Sequence, residues 1–242
     1  MIRKQGVLYL LCIFFLTSFG EPNNQQLSKN STTKNNSNTK QKNYYAKHKL
    51  IDPFNNVLQK DTATSISLAQ FSPIYIGAKK NELKITYNSS KVGNRIYKSG
   101  KHKKPDPKTM IISIDTTQTV GSPMGVYEYY QKPEYRVGKI AYPVFIENLC
   151  KDTLEIGFGN VLPIIMEAKD ENGIWKPIQK KFKYGCGKGL TQFYLGPKQL
   201  AVTTMKQFDG TFKTKLRLVF SYTTLKVYSN EIDGYINKGQ FE

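Results

Sequence analysis

A chain of 242 residues, 39% of them hydrophobic, is long enough for one large or two small domains with a buried core. Lys and Arg number 36 against 18 Asp and Glu, a formal charge of +18 that draws anionic partners in general and selects none of them. The cations are mostly Lys, spread over the whole length, which argues against specific nucleic-acid binding. Only two histidines, with no phosphate-binding loop and no zinc-ligand spacing, leave no sign of a cofactor or a metal site.

The first residues read "MIRKQGVLYLLCIFFLTSFGEP". Arg3 and Lys4 precede an apolar run from Val7 to Leu16, and small residues stand at Ser18 and Gly20. That order predicts a signal peptide over residues 1–20, and hence export to the periplasm, the cell surface or the medium. Cys12 follows Leu11, where a lipoprotein peptidase needs a small residue, so release is expected and a lipid or uncleaved anchor is the alternative. No later segment is apolar for long enough to predict a transmembrane span in the mature chain.

Residues 21–49 are Asn, Ser, Thr, Gln and Lys almost throughout. They bury too little to offset chain entropy, which predicts a disordered basic tether. Residues 50–138 predict an N-terminal β-rich region. "IDPFNNVLQ" could form a helical turn, "FSPIYIGA" and "ELKITY" are strands around a compact "KKN" turn, and "TMIISID" is an alternating strand. The basic "KSGKHKKPDPK" before it reads as a surface loop, and "GVYEYYQ" after it as a further strand.

From Lys139 the rhythm becomes regular: "KIAYPVFIENL", "LEIGFG", then "LPIIMEAKDENGIWKPIQ" as a hairpin with Gly173 at its tip. "TQFYLGPKQLAVTTMKQ" is a strand broken at Gly196-Pro197, and "TFKTKLRLVF" and "KVYSNEIDGYI" close the set. Short strands separated by frequent turns, with no βαβ pattern, predict an all-β fold. The expectation is an antiparallel immunoglobulin-like β-sandwich over 139–242 with additional N-terminal strands. Trp175, just after the hairpin tip, reads as a core or rim anchor.

Five motifs carry a resemblance: "DTTQ" at 115–118, "IMEAKDENGIWKPI" at 165–178, "YGCGKG" at 184–189, "GTFKTKLRL" at 210–218 and "YSNEIDGYINKGQF" at 228–241. In this order they resemble a group of exported Bacteroidetes proteins with no established activity. The resemblance implies export and a β-sandwich, and it transfers no catalytic residue.

Candidate chemistry is sparse. Lys213, Lys215 and Arg217 alternate along one strand and share a face opposite Phe212, Leu216, Leu218 and Phe220. They form a candidate anion-binding stripe or simply a solvated strand face. Glu231 and Asp233 form an acidic pair that could serve sugar hydrolysis or could face the stripe across the sheet. Cys150 and Cys186 are disulfide candidates in an oxidising compartment, or two separate thiols. Cys186, between glycines and near Lys183 and Lys188, is a remote nucleophile candidate. Asp170, Glu171 and Asn172 are first of all a turn and only weakly a calcium loop. Tyr127, Tyr129, Tyr130, Tyr135 and Tyr142 are core residues or a stacking surface. His48 and His102 lie in basic, flexible-looking stretches, which weakens any catalytic triad.

These observations favour a non-enzymatic binding or structural module of the cell envelope, with an anionic envelope polymer or a protein as partner. The alternatives are an envelope hydrolase using a carboxylate pair, or a proteinase inhibitor on an immunoglobulin-like scaffold presenting "KFKYGCGKGLTQ".

Overall fold

The computed structural model describes residues 48–52, 59–88, 91–93, 102–123, 137–183, 192–222 and 224–242. The signal-peptide reading, nearly all of the tether, most of the helical turn, four of the five tyrosines and Cys186 fall outside those residues. Among the described residues every regular element is a β-strand, apart from one 3-10 turn at Lys238–Phe241.

Two antiparallel five-stranded sheets dominate. The first contains β3 (Tyr75–Ala78), β5 (Met110–Ile114), β6 (Val120–Pro123), β7 (Val137–Asn148) and β13 (Gln199–Lys206). Its order is β3-β13-β7-β5, and β6 pairs with the first part of β7. The second contains β9 (Ile164–Lys169), β10 (Trp175–Pro177), β14 (Phe212–Ser221), β15 (Lys226–Tyr228) and β16 (Ile232–Ile236). Its order is β10-β9-β14-β15, with β16 paired to the first half of β14. Three short pairs complete the fold. β8 (Leu154–Phe158) is antiparallel to β12 (Gln192–Leu195). β1 (Lys49–Ile51) is parallel to β4 (Glu82–Lys84), and β2 (Ser67–Leu68) is parallel to β11 (Gln179–Lys180).

One large core takes side chains from both sheets: Ile112, Ile114, Val144 and Ile146 from the first, Met166, Leu216, Leu218 and Phe220 from the second. A smaller core covers the other face of the first sheet. There Ile74, Leu83, Ile85 and Tyr87 pack on Phe145, Leu200 and Val202. The central strands of the first sheet are thus buried on both faces, and β13 shows it with six consecutive buried residues.

Strands from 50–138 and from 139–242 share the first sheet, and β7 itself begins at Val137. The N-terminal β-rich region is therefore hydrogen-bonded into the same sheet as the rest. Two strand readings change in detail. "FSPIYIGA" and "ELKITY" do not pair with each other, because β3 joins β13 and β4 joins β1. "KVYSNEIDGYI" is two strands, broken where Ser229 and Asn230 turn their side chains inward. Ser229 Oγ accepts the Leu218 amide at 2.8 Å. Asn230 Oδ1 accepts the Ile114 amide at 2.7 Å and its Nδ2 donates to the Ile114 carbonyl at 3.2 Å, so one amide ties the two sheets together.

The β9–β10 hairpin forms as the sequence predicts. Asp170 Oδ1 accepts the amides of Asn172 and Ile174, each at 2.9 Å, and Gly173 adopts φ 74°. In the turn between β12 and β13 the positive φ falls on Lys198 (58°), while Gln199 Oε1 accepts the Gly196 amide at 2.8 Å. Gly210 allows a close approach of another kind: a Cβ there would lie 2.0 Å from the carbonyl carbon of Ile236.

Candidate functional site

The alternation in β14 places Lys213 and Lys215 in solvent and half-buries Arg217, while Leu216, Leu218 and Phe220 enter the core. Register sets their neighbours. Tyr235 of β16 lies opposite Lys213, Asp233 opposite Lys215, and Glu167 of β9 opposite Arg217. Lys215 Nζ is 2.8 Å from Asp233 Oδ1, and this hydrogen bond, followed by the fields of Lys215 and Lys213, holds the Asp233 carboxyl below the usual range.

Arg217 is different from the two lysines. Its Nε and Nη2 donate to Glu167 Oε2 at 2.8 and 2.7 Å. Its guanidinium carbon lies 4.1 Å from the Trp175 ring centroid and 4.3 Å from that of Tyr228. Each cation–π contact is worth about 0.5–1 kcal/mol at a partly exposed site, and the charge-assisted hydrogen bonds about 1.5–3 kcal/mol. Trp175 also lies under Lys169, whose Nζ is 4.9 Å from its centroid and 3.4 Å from Glu231 Oε2. Trp175 is thus a rim anchor, and its ring is bound up with two cations.

On this face Lys169, Lys213, Lys215, Arg217 and Lys226 stand against Glu167, Glu231 and Asp233, five cations to three carboxylates. Lys213 alone of the three stripe residues has no ion pair among the described residues. An anion bound at Lys215 or Arg217 must therefore compete with a carboxylate already in place. The acidic pair Glu231 and Asp233 is likewise engaged, each carboxylate with its own lysine.

A second cluster escaped the sequence reading. Glu155 of β8 is buried and takes Lys104 Nζ at 2.6 Å, Gln192 Nε2 at 3.1 Å and the Tyr222 hydroxyl. The Tyr194 hydroxyl donates to Gln192 Oε1, His102 stacks 4.3 Å from the Tyr194 ring, and Lys104 Nζ lies 4.4 Å from the Tyr222 centroid. The loop carrying His102 is thus tied to β8, which the expected surface loop did not include. Four separated segments meet here, and the one signal in the sequence was a Glu inside the apolar run "LEIGF". His48 is also placed: Nδ1 lies 2.6 Å from the Lys80 carbonyl oxygen, and the ring packs 5.6 Å from Phe145.

The remaining candidates are structural where they are described. Asp170 closes its turn and pairs with Lys176 at 2.9 Å, and Glu171 pairs with Lys238. No group of three or more His, Cys, Asp or Glu among the described residues is placed to hold a metal ion. Tyr142 is half-buried against the large core. Cys150 is partly buried with its sulfur 3.5 Å from the Asp152 carbonyl, and its pairing with Cys186 involves a residue outside the described set. No helix among the described residues is long and apolar enough to cross a membrane.

Beside the stripe a cleft of about 170 Å³ opens between Met205–Phe208 and β16. Leu216, Ile232 and Phe208 supply apolar wall, while Lys60, Lys206, Asp233 and Tyr235 supply polar groups. Comparison with protein-family models, curated proteins and solved structures finds no match to the chain.

Proposed function

We propose that the chain is an exported, non-catalytic binding module of the cell envelope, an antiparallel immunoglobulin-like β-sandwich that contacts an anionic envelope polymer through the outer face of β9, β10, β14, β15 and β16. The observation that carries this reading is the fixed array of rings and charges on one solvent-facing sheet. Trp175, Tyr228 and Tyr235 lie among Lys169, Lys213, Lys215 and Arg217, and both Tyr228 and Tyr235 are 45% exposed. Large rings with polar edges suit sugar and polymer contact, since they supply area without much rotamer entropy. The overall charge of +18 adds a long-range attraction for an anionic partner.

The exported location rests on the order of the first 20 residues and on the resemblance to exported Bacteroidetes proteins. The sandwich reading rests on the shared core of the two five-stranded sheets. Binding of the full chain to acidic polysaccharide and to anionic lipid vesicles, followed across a salt series, tests the function. Because three carboxylates already stand among the five cations, the expected salt slope is shallower than five uncompensated cations would give. Replacing exposed Tyr228 and Tyr235 with Ser weakens polysaccharide binding about tenfold or more if the rings carry the contact. Unchanged binding by that double variant overturns the reading.

A further inference from the structure

The cleft beside β16 has a construction that the outer face does not share. Ile232, Asp233, Gly234 and Tyr235 line it in unbroken succession. Strand side chains alternate between faces, so four consecutive residues lining one cavity bring the backbone of β16 into its wall. One edge of β16 has no strand partner: among the described residues β16 pairs with β14 alone. An unpaired edge offers a row of amide donors and carbonyl acceptors to a further extended chain.

The cavity next to this edge has the size of a side chain. About 150 Å³ of apolar cavity admits a benzene ring, and here about 170 Å³ is bounded by Leu216, Ile232, Met205 and Phe208. Charge at the mouth selects the occupant further. Lys206 Nζ is already 3.1 Å from Asp61 Oδ2, and Asp233 is held by Lys215. Lys60, which is exposed, has no ion pair among the described residues, and neither has Lys213, opposite Tyr235 in register. Among the residues that line the cleft, the uncompensated charge is therefore positive and sits on Lys60.

We propose that this cleft is a docking site for an extended acidic polypeptide, which adds along the free edge of β16 and inserts one aromatic or branched apolar side chain between Leu216, Ile232 and Phe208. Backbone hydrogen bonds to the edge supply affinity, the cavity supplies choice of side chain, and Lys60 meets a carboxylate flanking the anchor. A sugar chain has no row of amides to pair with the edge, so a polypeptide is the occupant that uses all three features.

The probe is a synthetic acetyl-Glu-Val-Phe-Val-Glu-amide, titrated into the isotopically labelled full chain and followed by amide chemical shifts. Shifts are expected at 205–208 and 232–236. Exchanging the peptide's Phe for Ser is expected to weaken binding about 10- to 100-fold, because a buried ring is lost. The exposed substitution Lys60→Glu is expected to weaken the parent peptide by about two- to fivefold. The peptide exchange leaves the protein untouched, so the test does not depend on a variant folding. Equal affinity of the Phe and Ser peptides overturns the proposal, as does the absence of shifts at millimolar peptide. Shifts centred on Trp175, Arg217 and Tyr228 also overturn it while leaving the outer-face reading in place. Polysaccharide binding that fails alongside a cleft-centred peptide response removes the outer-face reading instead.

Discussion

β13 and β14 are both central strands of five-stranded sheets, and they differ in how many of their faces are covered. β13 is buried at six consecutive positions, because the large core lies on one face and the core under β1 and β4 lies on the other. β14 buries Leu216, Leu218 and Phe220 on one face and carries Lys213, Lys215 and Arg217 on the other, which is covered only at Val219. Most residues that can meet a partner on this surface therefore come from the second sheet. The first sheet is the scaffold that holds it.

Emptying each core in turn separates the strand covered on both faces from the strand covered on one. Phe145→Ala on the small-core face and Ile146→Ala on the large-core face of β7 are each expected to destabilise the chain by about 2–5 kcal/mol in denaturant unfolding. Leu218→Ala on β14 is expected to fall in the same range. A neutral Phe145→Ala would mean that the cover over the first sheet is loosely packed and that β7 has one working face, like β14.

Glu167→Gln tests where the exposed face stops being exposed. Glu167 and Arg217 have side chains only 11% and 19% accessible, so the amide keeps an acceptor for the guanidinium but leaves its half-buried charge without a counter-charge. A loss of about 2 kcal/mol is expected. The corresponding change at Asp233 should be nearly silent in the same assay, since both partners there stand in water.

A smaller effect separates the small core from the rest by pH. Burial, reinforced by the 2.6 Å hydrogen bond to Asp52, pushes the Tyr87 phenol well above its usual 10.0. The unfolded chain releases that proton near pH 10 and the folded chain holds it. The contribution is therefore complete below pH 10 and is lost as pH rises beyond it. Thermal melts at pH 9 and pH 11 should show a drop in the parent that is reduced in Tyr87→Phe. An identical drop in both would place the alkaline sensitivity elsewhere.

The least perturbing change is Lys213→Gln with Lys215→Gln. Both are exposed, so the melting temperature should move by less than about 2 °C. Without Lys215, the Asp233 carboxyl should titrate closer to its ordinary value, because the hydrogen bond that lowers it is gone. In the parent that depressed carboxyl contributes stability above its unfolded pKa and loses the contribution as pH falls through its folded pKa. Carboxyl chemical shifts followed through acid titration measure this directly, and an unmoved Asp233 would show that the pair is not formed in solution.

How much of this was legible in the sequence follows from the same contrast. Where one face is wet, alternation is visible, and the stripe, its apolar reverse side and the "DENG" hairpin were all read correctly from local pattern. Pairing partners were not, because nothing local tells β4 to join β1 or β3 to join β13. The inequality within the stripe was also hidden. Arg217 differs from Lys213 and Lys215 through Glu167, Trp175 and Tyr228, which lie 50, 42 and 11 positions away in sequence but side by side in space. The Glu155 cluster gathers residues from four segments and had no spacing to betray it.

Asn230 has a consequence for timing. Its amide stands in for a strand residue against Ile114, 116 positions earlier, and the neighbouring β16 completes β14 while its last residue closes over Gly210. A chain delivered amino end first, from a ribosome or through a pore, exposes β5 long before it meets its clasp, while β14 waits only for the strand that follows it. Until residues 230–236 arrive, two sheets have apolar faces and no lock between them. Such a chain is expected to complete its fold late, once its last strands are present.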